Sequence, residues 1–380
     1  MIVLHVVIGL NRGGAELVLK RVIEAHHVRS GVRHVVVSLT DVGAVGQQLQ
    51  SMGVEVHSLG MRSILTTIGV FFRLQRLIRQ LSPDIVQTWM YHADFLGGLA
   101  ARLVGLRAII WGVRSTDISK GGSQATLWVR RACALLSCFV PHTIVCAAEA
   151  SRRLHAKVGY CAQRMKVIPN GYDLDGLVAL AADVEEFRRT SHLDNAMVVG
   201  CVGRFSRVKG FDYFVQAAGL VTEKLAGVRF LMVGRGLDKE NVELMRWIEQ
   251  TGVPERFILL GERRDIPVCL AAMDVFCLSS RTEGFPNVVG EAMGMGVSCV
   301  VADVGDAALL VGDTGVVVAK EDGEALAKGI LHMLSLTADA RSRLGQAAQR
   351  RVAVEFSMRQ CADRFEALYH EVLSESGRVR

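Results

Sequence analysis

Short runs rich in Val and Ile alternate with longer amphipathic stretches from one end of the chain to the other. Runs such as IVLHVV and RFLMV are largely apolar on both faces, as strands buried inside a parallel sheet are, and the stretches between them carry the helical period that covers such a sheet. The strands predicted in the first half are 2–7, 34–38, 54–58, 85–88, 108–112, 142–146 and 166–168. In the second half they are 197–202, 229–233, 257–260, 275–278, 299–302 and 315–318. The second set restarts the architecture of the first, so the chain reads as two doubly wound α/β domains. Pro169-Asn170-Gly171 closes the first set with turn chemistry, and the polar stretch holding Asp183, Glu185, Glu186, Arg188 and Arg189 follows it. The expected domains are 1–172 and 173–357. The segment 358–380, whose Cys361, Phe365, Leu368 and Tyr369 share one helical face, is expected to pack back on the first domain. Sheets of this kind bind ligands at the carboxyl ends of their strands, which puts the expected site in a cleft between two such domains.

Composition narrows the class. The chain has 380 residues, half of them hydrophobic, with mean hydropathy +0.30 and net charge +6. No uncharged run reaches the length of a membrane span; the nearest, 132–148, is interrupted by Pro141 and His142. The apolar N-terminus lacks a preceding basic region and reads as a strand rather than a signal peptide, so a cytoplasmic protein is expected. Nine cysteines lie scattered without a close C-x-x-C pair, which points to core residues and to neither zinc nor a disulfide framework. No nucleic-acid motif is present. Phe71, Phe72, Leu74, Leu77 and Ile78 interleave with Arg73, Arg76 and Arg79. Such a helix fits peripheral association with a membrane surface or an ordinary covering helix with solvated arginines.

The chemistry concentrates in RTEGFPNVVGEAMGMG, residues 281–296, where Glu283 and Glu291 flank a Gly-Phe-Pro-Asn turn. Pro286 suits the first turn of a helix, so Asn287, Val288 and Val289 would open that helix with unpaired N–H groups that attract an anion. Glu291 lies among apolar neighbours, where a carboxylate is costly unless donors meet it. A sugar diol supplies two donors and a core arginine supplies others; both readings fit. Gly203-Arg204-Phe205-Ser206-Arg207-Val208-Lys209-Gly210 resembles a P-loop but lacks the hydroxyl that would hold magnesium. Arg204 and Lys209 could clamp two phosphates without a metal, or simply be solvated. The glycine loop after the first strand, with Gly13 and Gly14, lacks the G-x-G-x-x-G order of a dinucleotide site. Asp173-Leu174-Asp175 follows an Asn-Gly turn and reads as turn chemistry, so neither metal nor cofactor is expected.

The segments GRFSRVKGFDYFVQAAGLV, FLMVGRG, PNGYD and LLGERRDIPVCLAAMDVFCLSSRTEGFPNVVGEAMGMGVSCVVADVGD resemble the retaining family-4 glycosyltransferases of GT-B fold. WMYHADFLGGLAARL, WGVRSTD and the GGAE loop resemble a subgroup acting in bacterial surface-polysaccharide assembly. The resemblance implies two Rossmann-like domains facing across a cleft. It also implies retaining transfer of a hexosyl or N-acetylhexosaminyl group from a nucleotide sugar, expected to be UDP-linked, to a glycan or polyprenyl-lipid-linked acceptor. Arg204 and Lys209 then hold the donor diphosphate, Glu291 the ribose and Glu283 the donor sugar. Gly284, Phe285, Pro286, Asn287 and Val288 bring backbone to sugar and phosphates, Gly13 and Gly14 face the phosphates, and the 261–264 loop with Arg263 lines the base. Many relatives place a histidine after the strand at 109–112, where this chain has Val113-Arg114-Ser115. Arg114 and His92 are therefore candidate acceptor- or sugar-facing groups. A sugar-nucleotide epimerase or hydrolase on the same plan, and a non-catalytic binding protein, are the alternatives.

Overall fold

Every strand runs parallel to its neighbours, as the unbroken apolar runs require. The structure is a computed structural model and describes residues 1–11, 13–27, 31–114 and 123–377. It divides into two units: residues 1–171 together with 358–380, and residues 172–357.

The first unit holds β1 (Ile2–Val7), β2 (Arg33–Ser38), β3 (Glu55–Ser58), β4 (Ile85–Trp89), β5 (Ile109–Val113), β6 (Thr143–Cys146) and β7 (Met165–Val167). Their order is β3-β2-β1-β4-β5-β6-β7, so the winding reverses between β1 and β4. Alternation along β1 sends Leu4 and Val6 to one face and Val3 and Val7 to the other, each into its own core. Helices Ile64–Leu81, Tyr91–Leu103 and Gln124–Leu136 cover the first face; Gly14–His27, Gly43–Ser51 and Met358–Glu375 cover the second. The last of these seals the unit. Phe365 and Tyr369 are fully buried, and Tyr369 Oη donates to Gln87 Oε1 at 2.5 Å.

The second face carries a chain of buried histidines whose polarity its two ends decide. Trp89 Nε1, a donor only, gives its hydrogen to His5 Nδ1 at 3.2 Å. His5 Nε2 meets His34 Nδ1 at 2.9 Å, His34 Nε2 meets His26 Nδ1 at 3.1 Å, and His26 Nε2 meets the Ala362 carbonyl, an acceptor only, at 2.9 Å. All three rings must therefore be neutral with hydrogen on Nε2. Burial lowers the pKa of His5 well below the ordinary value and that of His34 to about 3, with neighbouring imidazoles adding to both shifts.

The second unit holds β8 (Met197–Val202), β9 (Val228–Val233), β10 (Phe257–Leu259), β11 (Val275–Leu278), β12 (Ser298–Ala302) and β13 (Gly315–Val318), in the order β10-β9-β8-β11-β12-β13. Its winding reverses between β8 and β11. The thirteen strands match the predicted ones apart from shifts of one residue at some ends.

Candidate functional site

Two loops leave the carboxyl ends of β8 and β11, on either side of the reversal point, and the site grows from their contact. The first, residues 203–210, ends in a short turn, Arg207–Lys209, closed by Gly210. Gly210 sits at φ +61°, and a Cβ there would lie 2.2 Å from the Ser279 carbonyl oxygen. Only glycine lets the loops approach this closely. Gly234 does the same at the end of β9, where a Cβ would come within 2.0 Å of the Gly203 oxygen.

The second loop, residues 279–286, is stitched to the first by side chains. Ser279 Oγ donates to the Lys209 carbonyl at 3.0 Å, and the Arg281 amide donates to the Val208 carbonyl at 2.8 Å. The Arg281 guanidinium donates to the Arg207 carbonyl at 2.7 Å, pairs with Asp212 and lies 4.5 Å from the Tyr213 ring centre. Hydrogen bonding to Asp212 raises the Arg281 pKa further, so this clamp stays charged.

Lys209 and Glu283 meet within this frame. Lys209 Nζ is 2.7 Å from Glu283 Oε1, which also accepts from Ser280 Oγ at 2.7 Å. The Glu283 side chain is 14% exposed and that of Lys209 30%, so the pair is partly withdrawn from water but reachable. Arg204 is exposed and has no ion pair among the described residues.

Pro286 precedes the helix Asn287–Gly294 as its cap, with ψ 96°, rather than occupying its first turn as the sequence suggested. Its extended backbone carries the chain from the loop into the helix. Tyr172 holds this corner: its ring stacks on Phe285 at 6.1 Å and fills the space that a side chain at position 290 would need, 2.0 Å from a Cβ placed on Gly290. Gly305, at φ +59°, lets its own turn pass against the Glu283 and Gly284 carbonyls. Glu291, one turn into the helix, and Asn287 and Val288 at its start are half-buried.

Arg263 is exposed, its guanidinium held by Asp265 at 2.6 and 2.9 Å and lying 5.7 Å from the Phe187 ring centre. The same pairing holds the Asp265 carboxyl below its usual range.

In the first unit, a Cβ on Gly14 would meet nothing within 4 Å, whereas one on Gly13 would strike the Glu16 carboxylate. Arg12 and the residues 115–117 of WGVRSTD lie outside the described residues. His92 lines an apolar pocket of about 450 Å³ with Met61, Phe95, Leu96 and Val129, and burial keeps its imidazole below the ordinary pKa. Arg114 is half-buried in the first unit. Its Nη1 donates to Asn170 Oδ1 at 2.9 Å, its guanidinium lies 4.8 Å from the Trp89 ring centre and 5.4 Å from that of Phe365, and its Nε and Nη2 are buried. It joins β5 to the C-terminal helix. Sequence reasoning passed over Ser279, Ser280, Arg281 and Tyr172; the only cue to the serines and Arg281 was their position directly after β11.

Two Rossmann-like α/β units with a polar site at a strand reversal define the class, the GT-B glycosyltransferase fold. HepE from Anabaena, solved in complex with UDP, shares that fold at a TM-score of 0.85 and 23% identity, over 98% of this chain and 100% of its own. The chain belongs to the glycosyltransferases: the Glycosyltransferase Family 4 description matches residues 12–175 and Glycosyl transferases group 1 matches residues 196–336. Among curated relatives, the capsular polysaccharide biosynthesis glycosyltransferase CapM of Staphylococcus aureus is 23% identical over 97% of this chain and 95% of its own length. The UDP-Gal:alpha-D-GlcNAc-diphosphoundecaprenol alpha-1,3-galactosyltransferase of Escherichia coli is 28% identical over 64% of this chain, and the match spans 63% of that enzyme.

Proposed function

We propose that the chain is a retaining glycosyltransferase that moves a hexosyl or N-acetylhexosaminyl group from a UDP-sugar to a hydroxyl of a glycan or polyprenyl-lipid-linked acceptor. It works in the assembly of a bacterial surface polysaccharide or lipopolysaccharide. The observation that carries this reading is the Lys209–Glu283 contact of 2.7 Å at the reversal point of the second unit. A cation and a carboxylate held together, with the open Arg204 on the same loop, suit a ligand that brings both negative charge and hydroxyls.

Lys209, Arg204 and the helix start at Asn287 offset charge as it develops on the departing diphosphate, with no metal in that role. Glu283 accepts hydrogen bonds from donor-sugar hydroxyls and Glu291 from the ribose. Gly284, Phe285, Pro286 and Val288 shape the turn beneath them. The acceptor oxygen attacks the anomeric carbon from the face the diphosphate vacates, the carbon–phosphate oxygen bond breaks, and the leaving phosphate takes the acceptor's proton. UDP bound to HepE and the UDP-galactose donor of the E. coli relative support the choice of donor.

Incubation with a panel of UDP- and GDP-sugars, with and without a membrane-lipid extract, tests the proposal by nucleotide release. Release is expected with a UDP-sugar and only when the extract is present. Release that ignores the extract would mark a hydrolase. Lys209→Ala should lower the turnover number by about 100- to 1,000-fold, the usual loss of one transition-state donor; an unchanged turnover number removes Lys209 from this role.

A further inference from the structure

We propose that the first unit carries a second ligand site, at the amino ends of its strands, that takes a soluble phosphorylated sugar. Sheets of this kind bind their substrates at the carboxyl ends of the strands, the end from which His92 follows β4. A cleft of about 510 Å³, the size of a small-molecule site, opens at the opposite end. Arg107 stands two residues before β5, His142 directly precedes β6, and Arg164 and Lys166 lie at the start of β7. Arg102 joins them from the last turn of Tyr91–Leu103. The end of the helix Met358–Glu375 forms the other wall, with Glu371, Glu375 and the Ser376 that follows. The cleft belongs wholly to the first unit and shares no residue with the loops that carry Lys209 and Glu283.

Charge and one orphaned hydroxyl describe the ligand. Lys166 pairs with Glu371, and His142 Nε2 lies 3.2 Å from Glu375 Oε2. Arg164 donates to the Pro141 carbonyl, which leaves its charge unopposed. Arg102 and Arg107 are exposed and have no ion pair among the described residues. Three arginines and one lysine against two carboxylates leave an excess of two positive charges, which one phosphomonoester, at about −2 near pH 7, would balance. Guanidinium forks match phosphate oxygens in pairs. The two carboxylates repel a longer polyanion and accept hydrogen bonds from hydroxyls, and Phe139 at the rim, 70% exposed, offers an apolar face to a sugar ring. Ser376 Oγ lines the same cleft, buried and without a hydrogen-bond partner among the described residues. Buried hydroxyls are normally satisfied, so this one marks the place of a ligand oxygen. A ligand held here ties the terminal helix to the ends of β5, β6 and β7 and so stabilises the first unit. The site uses no step of the proposed transfer, so the two can fail separately.

Titration calorimetry of the full chain with glucose 1-phosphate and with glucose 6-phosphate, in the presence of excess UDP, is the test. One molecule per chain is expected to bind and to raise the unfolding midpoint. Arg102→Gln/Arg107→Gln should weaken binding at least about 100-fold, at roughly tenfold or more for each charged hydrogen bond, and leave the affinity for UDP as it was. Both positions are exposed, so an unchanged midpoint without ligand certifies the variant. Glu371→Ala/Glu375→Ala should bring the sugar phosphates down to the affinity of inorganic phosphate, because the hydroxyl acceptors go while the cations stay. Failure of both sugar phosphates to bind, displacement of either by UDP, or binding that the arginine variant leaves unchanged overturns the proposal. So does inorganic phosphate that binds the unaltered chain as tightly as the sugar phosphates do.

Discussion

Gly210 shows how much of the site hangs on one missing side chain. Its left-handed backbone and its contact with the Ser279 carbonyl leave no room for a Cβ, so Gly210→Ala meets both strain and collision. A loss of about 2 kcal/mol or more in urea unfolding is expected, together with a fall in turnover as the adjacent Lys209 shifts. Gly14→Ala faces open space and should leave stability within about 1 kcal/mol of wild type. The sequence displayed Lys209 and Glu283 but not their contact, because 74 residues separate them and only the adjacency of β8 and β11 joins them. Arg114 was legible as a departure from a pattern, yet nothing local revealed that Trp89 and Phe365 enclose it.

At the scale of elements, strand and helix periods were readable almost throughout because each element buries its own face. Links between elements were not. His5 stands alone in the run IVLHVV, and its partners arrive from β2 and, through His34, from the helix Gly14–His27. Those links make the first unit sensitive to acid. The folded rings of His5 and His34 take up protons only far below pH 6.5, whereas the unfolded chain does so near 6.5, so their contribution is full above that value and is lost as pH falls. Asp94 acts in the opposite sense. Burial raises its carboxyl to about 8, although Thr88 and the Gly112 amide donate to it, so its contribution is present at low pH and is lost as pH rises toward 8. Unfolding titrations from pH 4.5 to 8.5 should show a flattened acid limb in His34→Gln and a flattened alkaline limb in Asp94→Asn.

At the scale of the molecule, the restart of the strand pattern was plain in the sequence, and so was an apolar face on 358–373 awaiting a partner. One further consequence follows from the backbone bridge between Tyr172 and Ser357, where the Tyr172 amide also donates to the Phe356 carbonyl at 2.8 Å. The second unit begins and ends at a single place, so in chain topology it is an insertion whose ends already meet. Residues 172–357 should therefore survive excision as an autonomous fold that still takes up UDP, measurable by calorimetry. Joining Gly171 to Met358 through a short linker should likewise leave a one-sheet protein that keeps its sealing helix, with the whole second unit gone.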